Sequence, residues 1–270
     1  RAAILALLFL AGSGGCVRVE FWRRNLAAGD RALHHGRYAE AEELLAAALK
    51  ESENFLPLDR RRAQTLEAMG DLHRAQGDYA QAESHFLRAL ALTEKAAGGD
   101  SPEAAASLVY LAELYELQGR NSEAEKLYHR ALRIAEKGAA LKSSELAARL
   151  SDLALHYQAQ GRFAQAEPLY QRAVSVAERS LGSDHPMVGA RINDLAHLLH
   201  AQGKLPEAER LYLRALAVKE KSLAPGHPEL GAALNALALF YEARDKLPEA
   251  EEFYRRALAS AEKSPRRGSS

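Results

Sequence analysis

AEPLYQRA, residues 166–173, has near copies at steps of 42 residues: AEKLYHRA at 124–131, AERLYLRA at 208–215 and AEEFYRRA at 250–257. Aligning on the glutamate extends the series to Glu42, Glu83, Glu125, Glu167, Glu209 and Glu251, six repeats whose first step is 41 residues. Three residues after each glutamate stands a large side chain (Leu45, Phe86, Tyr128, Tyr170, Tyr212, Tyr254), and three further on a small one (Ala48, Ala89, Ala131, Ala173, Ala215, Ala257). Around the quoted stretch Phe163, Ala166, Leu169, Tyr170, Ala173, Val174 and Ala177 recur at spacings of three and four, which predicts an amphipathic helix. Upstream, Leu146, Leu150, Leu153, Ala154 and Tyr157 do the same and stop at Gly161, the residue type that closes helices in a left-handed conformation. Each repeat is therefore a pair of helices, A then B. Pro102, Pro186 and Pro228 mark starts of A helices, and Pro206 and Pro248 starts of B helices, where a missing N–H costs nothing. Pro168 lies more than a turn inside its helix and predicts a lost backbone hydrogen bond or a slight bend.

A single helical hairpin cannot bury both of its apolar faces, whereas stacked hairpins share a continuous core. The composition fits, with 47% hydrophobic residues and little Gly or Pro between residues 26 and 264. Thirty-six basic against 36 acidic residues leave no net pull toward nucleic acid or an anionic membrane. The one cysteine, Cys16, excludes an intrachain disulfide and a zinc site built on several thiolates. No GxxxxGK[ST] phosphate loop, GxSxG elbow or HExxH helix occurs. Nearly every distinctive residue belongs to the period rather than to a one-off polar cluster, so the chain reads as non-catalytic, with no cofactor and no metal. The recurring tyrosines read as packing residues, and the recurring glutamates as caps or inter-repeat hydrogen-bond acceptors.

The chain opens RAAILALLFLAGSGGC, whose apolar run from Ala2 to Ala11 suits the core of an export signal but is too short to cross a bilayer as a helix. The small residues leading into Cys16 resemble a bacterial lipoprotein signal, which implies lipid on Cys16; Ser13 stands where such signals usually carry Leu. A membrane-anchored envelope lipoprotein is thus the expectation. Periplasmic or exported protein without lipid stays open, as does a cytoplasmic chain if the apolar run is no signal.

LALHYQAQGRFAQAEPLYQRAV (153–174) and LGSDHP (181–186), at the 42-residue period, resemble the tetratricopeptide repeats of kinesin light chains and similar bacterial arrays. The resemblance implies an all-α, right-handed α-solenoid superhelix of six helix hairpins over residues 26–264, after a signal segment at 1–16 and a short linker at 17–25 and before a disordered tail at 265–270. It also implies a protein-interaction scaffold whose A helices line a concave, partner-binding groove. Alignment on the closing glycines places there Glu67 and Asp71; Tyr110 and Glu113; Asp152; Asn193, Asp194, His197 and His200; and Asn235 and Glu242. Acids dominate these positions, which favours a basic or neutral protein or peptide over an acidic one. Paired with Arg149 and Arg191, the same charges would instead be a solvated helix face. Asp194, His197 and His200 have a spacing that can hold a divalent metal, but helix surfaces show it by chance and no HExxH accompanies it, so no metal is expected. The contrasting expectation is an envelope assembly factor that acts by homodimerising or by rigid docking.

Overall fold

The computed structural model describes residues 2–137 and 144–263, with backbone alone for residues 2–16. The tail expected at 265–270 lies outside the described residues, as does the Cys16 side chain. Every regular element among the described residues is an α-helix: α1 (Ala2–His34), α2 (Tyr38–Ser52), α3 (Arg60–Gln76), α4 (Tyr79–Ala97), α5 (Pro102–Leu117), α6 (Asn121–Lys137), α7 (Ser144–Ala159), α8 (Phe163–Leu181), α9 (Pro186–Ala201), α10 (Leu205–Ser222), α11 (Pro228–Glu242) and α12 (Leu247–Glu262). Odd-numbered helices are the A helices and even-numbered ones the B helices of six hairpins. The chain divides into an N-terminal unit, Arg1–Ile134, and a C-terminal unit, Ala135–Ser270. In the first, α1 pairs with α2 and α3 with α4, and α2–α3 and α4–α5 join consecutive hairpins; in the second, α7–α8, α9–α10 and α11–α12 pair and α8–α9 and α10–α11 join them.

Helix ends follow their local chemistry. Ser101 Oγ accepts from Ala104 N (3.1 Å) ahead of Pro102, and Asp59 Oδ1 accepts from Arg61 N (3.0 Å). Ahead of Pro186 and Pro228 the cap is a histidine: the Nδ1 atoms of His185 and His227 accept from Met187 N and Glu229 N, each at 3.2 Å. Gly77, Gly119, Gly161 and Gly203 close their A helices at positive φ, and in the last hairpin Asp245 takes the same place with φ 62°. Helix α8 runs unbroken through Pro168.

Packing inside a hairpin is set where a bulky B residue meets a small A residue. A Cβ added to Gly70 would fall 2.4 Å from Phe86 Cε1, and one added to Gly29 would fall 2.6 Å from Leu45. The register continues the pairing as Ala112 with Tyr128, Ala154 with Tyr170, Ala196 with Tyr212 and Ala238 with Tyr254, and these four alanines are fully buried. Tyr128, Tyr170 and Tyr212 are buried core, as expected, while Tyr254 is 37% exposed.

Residues 17–25, expected as a linker, are the first half of the A helix of repeat one. Trp22 is buried, donates from Nε1 to Thr65 Oγ1 (2.8 Å) and meets Phe55 edge-on, with the rings 6.1 Å apart. The charged run around Trp22 hides the apolar periodicity, but the 41-residue step places Trp22 in register with Ala63.

Gly70→Ala should therefore lower stability by about 1–3 kcal/mol through overpacking against Phe86. At Gly231, a helical position where an added Cβ meets nothing within 4 Å, alanine should instead add about 0.5–1 kcal/mol. Chemical denaturation of the two variants checks the opposite signs.

Candidate functional site

The quoted phrase resolves into four contacts. Its first alanine (Ala82, Ala124, Ala166, Ala208, Ala250) is buried. Its glutamate clasps the far end of the next A helix: Glu83 accepts from Tyr115 OH (2.8 Å) and Arg120 Nη1 (3.0 Å), Glu167 from Gln202 Nε2 (3.0 Å) and Lys204 Nζ (2.8 Å), and Glu209 from Tyr241 OH (2.9 Å) and Arg244 Nη1 (2.5 Å). Its aromatic packs in the core in every copy but the last, Tyr254. Its arginine reaches back to the preceding B helix, as Arg130–Glu94 (2.5 Å), Arg172–Glu136 (2.8 Å), Arg214–Glu178 and Arg256–Glu220. That arginine ladder was not anticipated, although its 42-residue recurrence is visible in the sequence.

The A-helix positions differ between the two units. In the N-terminal unit, Asp71 and Glu113 share Arg74, at 2.7 Å and 2.6 Å, and Glu67 Oε1 accepts from Ser107 Oγ at 2.6 Å. Asp30, on α1, occupies the same register as Asp71 and Glu113 and adds a fourth acid. It was missed because repeat one was not assigned groove residues. Burial pushes the Asp71 carboxyl up to about 6 against the pull of Arg74, with Glu113 and Asp30 adding to the rise. Burial also raises Glu67, which the Ser107 hydrogen bond opposes, and Asp30. Tyr110 stacks on Phe86, with centroids 5.7 Å apart.

In the C-terminal unit the acids are paired along their own helices. Asp152 meets Arg149 at 2.9 Å and Asp194 meets Arg191 at 3.0 Å, while Glu242 accepts from Tyr254 OH at 2.6 Å. Burial raises Asp194, and Arg191 and Lys219 oppose it. His197 Nδ1 lies 2.8 Å from Tyr212 OH, burial holding this histidine below its ordinary value, and His200 packs edge-on to Phe240. Asp194 pairs with Arg191 while His197 and His200 both meet Tyr212 edge-on, and no metal-holding group of three such side chains occurs among the described residues. Asn193 is half-buried, and exposed Asn235 borders a cavity of about 510 Å³ beside α12. The register that carries Asp30, Asp71 and Glu113 in the first unit carries Leu155, His197 and Leu239 in the second, with both leucines more than half exposed.

A family model described as tetratricopeptide repeat matches residues 61–137, 145–221 and 190–263. The chain belongs to the tetratricopeptide repeat family. Members of this family are protein-binding scaffolds built from helix hairpins such as those in each unit. Among solved structures, this tetratricopeptide chain is similar to BtubC (BKLC) from P. vanneervenii, at 22% identity, TM-score 0.64, and coverage of 92% of this chain and 96% of that one. It is also similar to a protein from Podospora anserina assigned as a kinesin light chain, with nearly identical TPR-like repeats: 26% identity, TM-score 0.61, 78% of this chain and 99% of that one. Aspartyl phosphate phosphatase F from Bacillus subtilis shares the fold at 14% identity and TM-score 0.64, over 100% of this chain and 77% of that one. No curated protein matches the sequence.

The raised Asp71 value has a definite sign. Burial favours the neutral carboxyl, so this group's contribution to folding is full below its ordinary value of 3.8 and is lost as pH rises through about 6. Carbon-detected NMR of the Asp71 carboxyl should give a midpoint near 6, and a midpoint near 4 would show that the side chain is solvated.

Proposed function

We propose that this tetratricopeptide chain is a non-catalytic scaffold that holds a basic segment of a protein partner on the A-helix face of its N-terminal unit, at a bacterial membrane surface. The acidic column of the N-terminal unit carries this reading: Asp30, Asp71 and Glu113 stand in one register with Glu67 close by, and Arg74 is the guanidinium that Asp71 and Glu113 share, with Arg31 near Asp30 and Arg60 near Glu67. Carboxylates on a half-buried face strengthen their field and favour cationic partners. Leu155, His197 and Leu239 hold the same register in the C-terminal unit, so the acidic column belongs to the N-terminal unit.

Attachment to the membrane rests on the sequence around Cys16. No helix among the described residues is long and apolar enough to cross a membrane. In this reading acyl chains on Cys16 hold the scaffold, each buried methylene contributing about 0.8 kcal/mol. Mass spectrometry of protein expressed in a bacterial host from a gene encoding this chain behind an initiator methionine should find an acylated Cys16 at the mature N-terminus. An unmodified Cys16, still preceded by residues 1–15, would favour the cytoplasmic alternative.

The groove is tested with immobilised chain and matched pools of basic and acidic decapeptides. Basic peptides should be retained, should elute as salt rises, and should be lost from a Glu113→Lys variant that keeps its circular dichroism spectrum. Retention indifferent to both salt and Glu113→Lys would sink the reading. Exposed Tyr254, Leu247 and Leu258 on α12 favour the second reading, self-association or rigid docking through the last hairpin. Light scattering at twice the monomer mass, abolished by Leu258→Glu, would select it.

A further inference from the structure

Because the repeats share one register, a position in one hairpin has a counterpart in each of the others. Repeat five buries a lysine. Lys219, on α10, is 7% exposed, and its stem lies against α9, where a Cβ built on Gly189 would come within 3.1 Å of Lys219 Cγ. Its Nζ lies 3.6 Å from Glu229 on α11. A lysine taken out of water is costly unless its charge is matched, and Glu229 supplies the match.

Three repeats earlier, Thr93 stands in the place of Lys219, Ala63 in that of Gly189 and Glu103 in that of Glu229. The Thr93 hydroxyl turns back to donate to Ala89 O at 2.9 Å, so the short side chain leaves the lysine's volume unfilled. A cavity of about 520 Å³ opens there, bordered by Ala63, Leu92 and Ala96, with Asp59, Glu67 and Glu103 as its acids. Glu103 makes no ion pair among the described residues, and Glu67 accepts from Ser107 through Oε1, leaving Oε2 for another donor. Asp59 is held by Arg61, and exposed Arg60 balances one of the other two acids. The cavity thus has, at Glu103, the counterpart of the acid that pairs Lys219, a further acid at Glu67 where repeat five has Asn193, and no lysine of its own, a residue this register holds in repeat five alone.

We infer that this cavity receives a lysine side chain of the bound partner, its stem between Ala63, Leu92 and Ala96 and its ammonium at Glu103 and Glu67. The inference rests on the reading that the N-terminal unit takes a basic segment, and it adds which basic residue is taken and where. Lysine suits the site better than arginine, because a compact ammonium on an apolar stem fits an apolar wall that ends in separate carboxylates. The planar guanidinium instead seeks both oxygens of one carboxylate, and Glu67 has already committed one of its two to Ser107.

The test uses the full chain, methyl-labelled for NMR, and a trilysine amide as probe, with Nε-acetylated trilysine and triarginine as controls. Trilysine should shift the methyl signals of Ala63, Thr93 and Ala96, and neither control should match it. Thr93→Lys, which places in this cavity the lysine that repeat five carries, should abolish the shifts at Ala63 and Ala96 while leaving those around Glu113. Glu103→Gln should weaken binding at the cavity by about tenfold, the loss of one charge-assisted contact. If Thr93→Lys fails to fold, Glu103→Gln carries the test alone. Trilysine that perturbs the Glu113 surroundings but not these methyls, shifts that survive both variants, or equal response to triarginine would overturn the lysine site and leave the acidic column standing. No response to trilysine anywhere in the N-terminal unit would overturn both.

Discussion

Everything in a hairpin depends on how closely helix A lets helix B approach. At Gly70 the answer is set by the absence of a single methyl group, since the ring of Phe86 occupies the volume that a Cβ would need. The same trade recurs through the chain, with alanine taking over from glycine where the partner changes to tyrosine. Close-packed interiors tolerate neither voids nor excess volume, so a bulky residue on one helix fixes the size of the residue facing it on the other. With the two helices locked at that contact, the B helix presents its remaining face to the following A helix, and the next hairpin can add in the same way.

Polar contacts between hairpins sit on this frame. The glutamate clasp to the end of the next A helix and the arginine ladder between B helices are partly exposed, and contacts of that kind contribute only about 0–1 kcal/mol each. Their role is better described as register. A clasp such as Glu209 with Tyr241 and Arg244 satisfies two donors in one geometry only, so a hairpin shifted by a turn would lose both. The apolar stripe supplies most of the driving force and tolerates small shifts; the polar pairs do not.

Most of the fold was legible because a repeat states the same facts six times. The amphipathic spacing, the closing glycines and the prolines at helix starts each predicted a helix end or face found in the structure. Trp22 shows where this legibility stops: its surroundings carry charges instead of the repeat phrase, and its burial depends on Thr65 and Phe55, more than thirty residues away. The candidate surface was less legible for a related reason. A sequence shows that Asp152 and Asp71 are both acidic, but not that Asp152 spends its charge on Arg149 while Asp71 and Glu113 divide one guanidinium between them. Likewise, the difference between Lys219 and Thr93 is visible in the alignment, whereas the cavity beside Thr93 is a property of packing.

The helical continuity of α1 bears on how far the scaffold can reach. Trp22 is fixed in the core only six residues after Cys16, and a helix rises about 1.5 Å per residue, so roughly 9 Å of rod separates the two. If Cys16 is acylated, the first hairpin sits on the lipid headgroups with no slack chain beneath it. A protein on a flexible leash sweeps a hemisphere and meets soluble partners in any orientation. One mounted on a short stiff post keeps its first repeat at a fixed height and samples mainly what diffuses along the same membrane.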